Sequence, residues 1–137
     1  MQLQRIQTLY FLIAAILTAI YCFIPYATIS VSDNSADYLV SETPVLLILN
    51  ITITVLLVIT IFMYRNIKQQ IKVALVDILL ILGSIAASLV YTYVGHEAAQ
   101  PAWIGISLQC LAFGFAISGR RAMKRDQALL ASADRLR

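Results

Sequence analysis

The sequence predicts an all-α membrane protein, a bundle of four transmembrane helices with both chain ends in the cytoplasm. Three observations predict it. Four apolar stretches, residues 6–24, 44–64, 73–94 and 102–118, each approach or exceed the length that crosses ~30 Å of hydrocarbon at ~1.5 Å per residue. Apolar residues make up 61% of the 137-residue chain and charged residues only 12%; soluble domains hold about 45–50% apolar residues. A compact soluble domain built from four such stretches would lack the polar surface to cover itself. Finally, the basic residues lie at Arg5, at Arg65, Lys68 and Lys72, and from Arg120 to Arg137, whereas residues 25–43 and 95–101 carry only Asp33, Asp37, Glu42 and Glu97. Lys and Arg beside a span stay in the cytoplasm. An even number of spans puts both ends on that one side.

Arg5 followed by an apolar run resembles a signal peptide, but Pro25-Tyr26-Ala27 is a poor cleavage site. Tyr21 directly before Cys22 also argues against a lipoprotein anchor. We therefore expect span one to be retained, ending at Pro25, which cannot continue a helix. In the loop that follows, residues 27–32 alternate with period two, Asp33-Asn34-Ser35 offers a turn and Tyr38-Leu39-Val40 is β-prone. A small β-hairpin capping the outer face is expected. Alone it would be marginal, so it must rest on the bundle or on a partner.

Thr43-Pro44 predicts an N-cap with proline at the first helical position of span two, and Pro101 stands similarly before span four. The short inner connection, residues 65–72, makes spans two and three antiparallel neighbours. Tyr21, Phe23, Tyr26, Tyr91, Tyr93 and Trp103 at the outer ends, with Phe62 and Tyr64 at the inner ends, read as an interfacial aromatic belt. Residues 1–118 thus form the transmembrane domain and residues 119–137 a basic cytoplasmic tail, with six basic residues against Asp126 and Asp134. Leu129, Ala133 and Leu136 share a helical face in that tail, but Asp126 falls on it too.

Three polar side chains inside the spans are candidate pairing or pathway residues. Asn50 and Gln109 sit at matching depths, where an amide pair between helices would satisfy both at ~1 kcal/mol. Asp77 lies about four residues into span three, within reach of Lys72, Arg120 or Arg121, and reads as an ion-pair or helix-dipole partner. Thr52, Thr54 and Thr60 can each bond a carbonyl one turn back. Gly83 with Ala87, Ser84 with Ser88 and Ala15 with Ala19 are small-residue pairs that permit close helix approach.

The motifs of catalysis are missing. His96-Glu97 resembles the start of a zinc-protease helix, but position 100 is Gln where a second His is needed. Cys22 and Cys110 are expected at different depths, too far apart to bridge. No cofactor, metal or catalytic residue is expected, and the chain does not read as an enzyme. The basic tail suits anionic lipid headgroups, and nothing interleaves it with the aromatics that nucleic acid would call for.

Gln4-Arg5-Ile6-Gln7-Thr8-Leu9-Tyr10 at the start and Ser132-Ala133-Asp134-Arg135-Leu136-Arg137 at the close together resemble the domain-of-unknown-function family 4293. That resemblance implies a small four-span inner-membrane protein of the Bacteroidota and carries no activity. Both motifs fall at the cytoplasmic face, where Gln4, Arg5 and Gln7 could meet Asp134 and Arg135. With Arg120 and Arg121 they form a candidate partner-contact surface. The functional expectation is a non-enzymatic accessory or scaffold subunit of an inner-membrane assembly, bound to a membrane-protein partner or to its own copies. The rival is a small oligomeric transporter or channel, with Asn50, Asp77 and Gln109 lining its path.

Overall fold

The interior of the molecule is set by a repeat of alternating fours and threes. In a computed structural model, helix α1 (Gln2–Tyr21) buries Gln7, Phe11, Ala14, Thr18 and Tyr21, and α2 (Pro44–Phe62) buries Leu46, Asn50, Ile53, Leu57 and Thr60. Helix α3 (Ile67–Gly95) buries Gln70, Ala74, Asp77, Ile81, Ser84 and Ser88 at the same spacing. So does α4 (Trp103–Arg135), with Gly105, Gln109, Ala112, Ala116, Gly119, Met123 and Asp126. A mean repeat of 3.5 residues keeps one seam facing its neighbours when helices wind around one another with a left-handed twist. Residues 2–31, 34–95 and 99–136 are described, with side chains for all of these but residues 2–4, 30–31 and 34–35.

Each helix packs on two others: α1 on α2 and α4, and α3 on α2 and α4. The four therefore form a ring in chain order, with sequential neighbours antiparallel. Phe11, Leu57, Ile81 and Met123 fill its axis. Among the described residues two helices, α2 and α3, are long and apolar enough to cross a membrane, while the apolar part of α1, Arg5–Tyr21, is shorter.

Several boundaries differ from expectation. Helix α3 starts at Ile67, so the connection before it shrinks to residues 63–66 and Lys68 and Lys72 are helical. Asp77 consequently lies about three turns inside α3, too deep to act on the dipole of its first turn. Likewise, α4 runs unbroken from Trp103 to Arg135, so the basic stretch from residue 119 onward continues the helix rather than forming a separate tail. At ~1.5 Å per residue, α4 is about 50 Å long and α2 about 28 Å.

Above one end of the ring lies a three-stranded antiparallel sheet in the order β2-β1-β3. Strands β1 (Pro25–Val31) and β2 (Asn34–Leu39) form the expected hairpin, with Val31 opposite Asn34. The Asp33 of the expected turn lies outside the described residues. The third strand, β3 (Ala99–Pro101), comes from the second connection and pairs Ala27 with Pro101 and Ile29 with Ala99. Three alternating residues there give too little pattern to read as a strand. Pairing irregularity between Pro25 and Ala27 lets two consecutive residues, Tyr26 and Ala27, face inward. They pack with Tyr21, Val40 and Leu46 into a second small core beneath the sheet.

That core corrects two further expectations. Tyr21 and Tyr26 are buried rather than part of an exposed belt, which leaves Phe23, Tyr93 and Trp103 at this end and Phe62 and Tyr64 at the other on the surface. Thr43 makes no side-chain cap on α2; its hydroxyl donates to the Tyr26 hydroxyl at 3.3 Å. Its carbonyl still opens the helix, accepting from the Leu47 N–H at 2.9 Å.

Candidate functional site

The buried seam of the ring is unusually polar, and its polar side chains meet at three levels. Nearest the sheet, Asn50 of α2 is the hub. Its Oδ1 accepts from Gln109 Nε2 at 2.7 Å and from the Ser84 hydroxyl at 3.2 Å. Its Nδ2 donates to the Leu46 carbonyl at 2.8 Å. Asn50 and Gln109 sit on opposite helices of the ring, so this bond crosses the bundle axis and ties three helices at one height. Thr18 and Thr54 join α1 to α2 at a similar level, their hydroxyl oxygens 2.9 Å apart.

One level away from the sheet is Asp77, fully buried. Its Oδ2 lies 2.7 Å from the Thr60 hydroxyl, which also lies 2.8 Å from the Leu56 carbonyl. Thr60 has one hydroxyl hydrogen and shares it between these two acceptors. Gln70 completes the group by donating to the Thr60 carbonyl at 2.8 Å. Asp77 Oδ1 has no hydrogen-bond partner among the described residues. The expected ion pair with Lys72, Arg120 or Arg121 does not form: Lys72 and Arg121 are exposed, and the buried Arg120 Nε has no partner of its own.

The third level closes the end far from the sheet. Gln7 Nε2 donates to Asp126 Oδ2, and both side chains are buried. The sequence suggests instead that Gln4, Arg5 and Gln7 meet Asp134 and Arg135. The antiparallel register of α1 and α4 sets Gln7 opposite Asp126, and Asp134 lies about 12 Å farther along α4. Arg5, Asp134 and Arg135 are exposed, and the Gln4 side chain lies outside the described residues.

Of the small-residue pairs, Ser84 with Ser88 is buried in the seam and Ala15 is buried on α1, but Gly83 does not pack. Gly83 is exposed, and a Cβ there would meet nothing within 4 Å. Gly119 and Gly105 carry the contact between α1 and α4 instead. A Cβ on Gly119 would stand 2.8 Å from the Phe11 ring, and one on Gly105 would stand 3.0 Å from both Tyr21 Cε2 and the Pro25 carbonyl. The readable signal was their place in the series Gly105, Gln109, Ala112, Ala116, Gly119, Met123, Asp126, whose small and polar members share one face. The same series accounts for Asp126, which breaks the apolar face of the tail because it turns inward.

Chemically, these groups hold helices together. Cys22 is buried and Cys110 exposed, and neither is bonded to the other. Among the described residues no cluster of three or more His, Cys, Asp or Glu side chains is placed to hold a metal ion, while His96 and Glu97 lie outside them.

No curated protein and no solved structure matches this chain. A family model described as a domain of unknown function, DUF4293, matches residues 3–136. The match covers nearly the whole chain, and the protein belongs to that family.

Proposed function

We propose that the chain crosses the inner membrane four times, with both ends cytoplasmic, and serves as a non-enzymatic accessory or scaffold subunit of a membrane assembly. The inversion of polarity across the helices supports the membrane part. Asn, Gln, Asp, Ser and Thr occupy the seam, while Leu9, Ile16, Ile48, Ile51, Val55, Leu79, Leu82 and Val90 point outward. Only 28% of the most apolar window of α2, and the same share of α3, is buried. A core helix of a soluble protein hides its apolar side chains, whereas a bundle in lipid has no such need. The shorter α1 and the apolar half of α4 share the seam and complete the bundle.

The scaffold part is supported by how the interior polar groups are used. Asn50, Ser84 and Gln109 bond to one another, Gln70 bonds to Thr60, and Gln7 bonds to Asp126. Such pairs fix helix positions and leave few groups to coordinate a passing solute. The test is a mild-detergent pull-down of the tagged protein from its own cells, paired with reporters fused at the carboxyl end. A stoichiometric membrane partner and a cytoplasmic reporter are expected. A chain that remains in the supernatant after ultracentrifugation would end the reading.

One observation favours a transporter or channel formed by several copies: the unpartnered oxygen of Asp77 inside the bundle. On that reading Asp77→Asn abolishes flux in reconstituted vesicles while the protein still inserts.

A further inference from the structure

A groove of about 380 Å³ runs along the outer junction of α1 and α4, lined by Ile6, Tyr10, Ser118, Arg121, Ala122 and Arg125. Arg121 and Arg125 are four residues apart, which puts their Cβ atoms about 6 Å apart on one helix face. Both are exposed. Among the described residues no carboxylate lines the groove, because Asp126, the nearest acid on α4, is turned inward to Gln7. The Ser118 hydroxyl donates to the Gly114 carbonyl at 2.9 Å, leaving its oxygen free only to accept. The hydrogen-bond donors reaching the groove from α4 are therefore two guanidinium forks.

Beyond the groove, toward the sheet, the same face of α4 is apolar. Tyr10 packs on Phe115 with ring centroids 6.2 Å apart. Leu111, two turns before Ser118 on the same face of α4, is exposed. One face of α4 thus runs from Leu111 past Phe115 and Ser118 to Arg121 and Arg125, changing from apolar to cationic over about 21 Å. On the four-span reading that change coincides with the border between hydrocarbon and headgroups.

We propose that this groove binds an anionic phospholipid, its headgroup phosphate held by Arg121 and Arg125 and an acyl chain lying over Phe115 and Leu111. Guanidinium forks match phosphate oxygens in pairs, which a diffuse cloud of lysines does not. The apolar run favours a lipid over free phosphate, since inorganic phosphate has no use for it. This inference rests on the proposed membrane location and adds a defined site to it.

The experiment is native mass spectrometry of the detergent-solubilised protein, titrated with phosphatidylglycerol or phosphatidylcholine. Phosphatidylglycerol adducts should outnumber phosphatidylcholine adducts. The double variant Arg121→Gln/Arg125→Gln should lose that preference, by about fivefold for each arginine removed. Arg135→Gln, outside the groove, should keep it. Equal loss in Arg135→Gln would mean unspecific attraction to a basic end, and displacement of the lipid by millimolar inorganic phosphate would make free phosphate the ligand. Either result overturns the proposal. Carbonate-resistant sedimentation of wild type and double variant separates the two levels: failure of the wild type to sediment with membranes sinks the membrane reading. Insertion of both without lipid preference sinks the groove alone.

Discussion

Gln7 and Asp126, 119 residues apart in sequence, form a buried hydrogen-bonded pair that fastens the first helix to the last. A carboxylate bound to a single carboxamide in a buried position depends on that donor.

Replacing Gln7 by Leu should therefore destabilise the protein by about 1–3 kcal/mol, because Asp126 is left buried without its partner. The double variant Gln7→Leu/Asp126→Leu should recover most of that loss. Thermal unfolding of the detergent-solubilised variants, followed by circular dichroism, gives the comparison. An equal loss in single and double variants would show that the pair is not coupled.

Gly119→Ala should cost about 1–3 kcal/mol, since its methyl group would press on a fully buried Phe11 ring. Phe11→Leu in the same chain should relieve part of the loss. Gly83→Ala should be neutral or stabilising by up to about 1 kcal/mol, because the added methyl meets no atom and alanine favours the helix. If Gly83→Ala were the worse of the two, the assignment of helix contacts would be wrong.

The Asn50 hub makes a prediction about order of damage. Asn50→Leu removes the acceptor of Ser84 and the closer acceptor of Gln109, leaving Gln109 only the Ser84 hydroxyl at 3.3 Å, whereas Gln109→Leu leaves the bond between Ser84 and Asn50 in place. Asn50→Leu should be the more harmful, by about 1 kcal/mol. A double-mutant cycle at positions 50 and 109 should show clear non-additivity.

At Asp77, the amide of Asn can donate to the Thr60 oxygen while Thr60 keeps its bond to the Leu56 carbonyl. Asp77→Asn should therefore insert normally and hold its stability within about 1 kcal/mol. Asp77→Leu should lose more, because the Thr60 hydroxyl then has no partner on α3 and only its carbonyl is still held there, by Gln70. Unfolding measurements on both variants test the link between the Thr60 hydroxyl and α3.

Helix number and the hairpin were legible because both depend on local pattern: apolar run length for the one, alternation around a turn for the other. The cross-axis bond of Asn50 and Gln109 was legible too, since depth along each of the two spans can be counted from its outer end. Partners that depend on rotation about a helix axis were harder to read. Measured from the apolar edge at Val73, Asp77 falls beside nearby cations, whereas the helix begins a turn and a half earlier at Ile67. Gly83 looked like a packing residue from spacing alone, and only the heptad phase of Gln109, Ala112, Ala116 and Met123 selects Gly105 and Gly119 instead. Strand β3 contains three residues and owes its existence to the free edge of β1. Nothing within residues 99–101 announces it.

Helix α4 continues past Asp126, its last buried residue, and Leu129, Leu130 and Leu136 stand exposed along the projecting end. No proline interrupts the helix between its apolar half and its final turn, and it runs unbroken through Ser118-Gly119, the one pair where a kink would be expected. The projecting end is thus a stiff pointer. A small tilt of the embedded half swings Asp134 and Arg135 sideways in proportion to the pointer's length, so anything gripping those last turns is mechanically connected to the packing around Gly105 and Gly119.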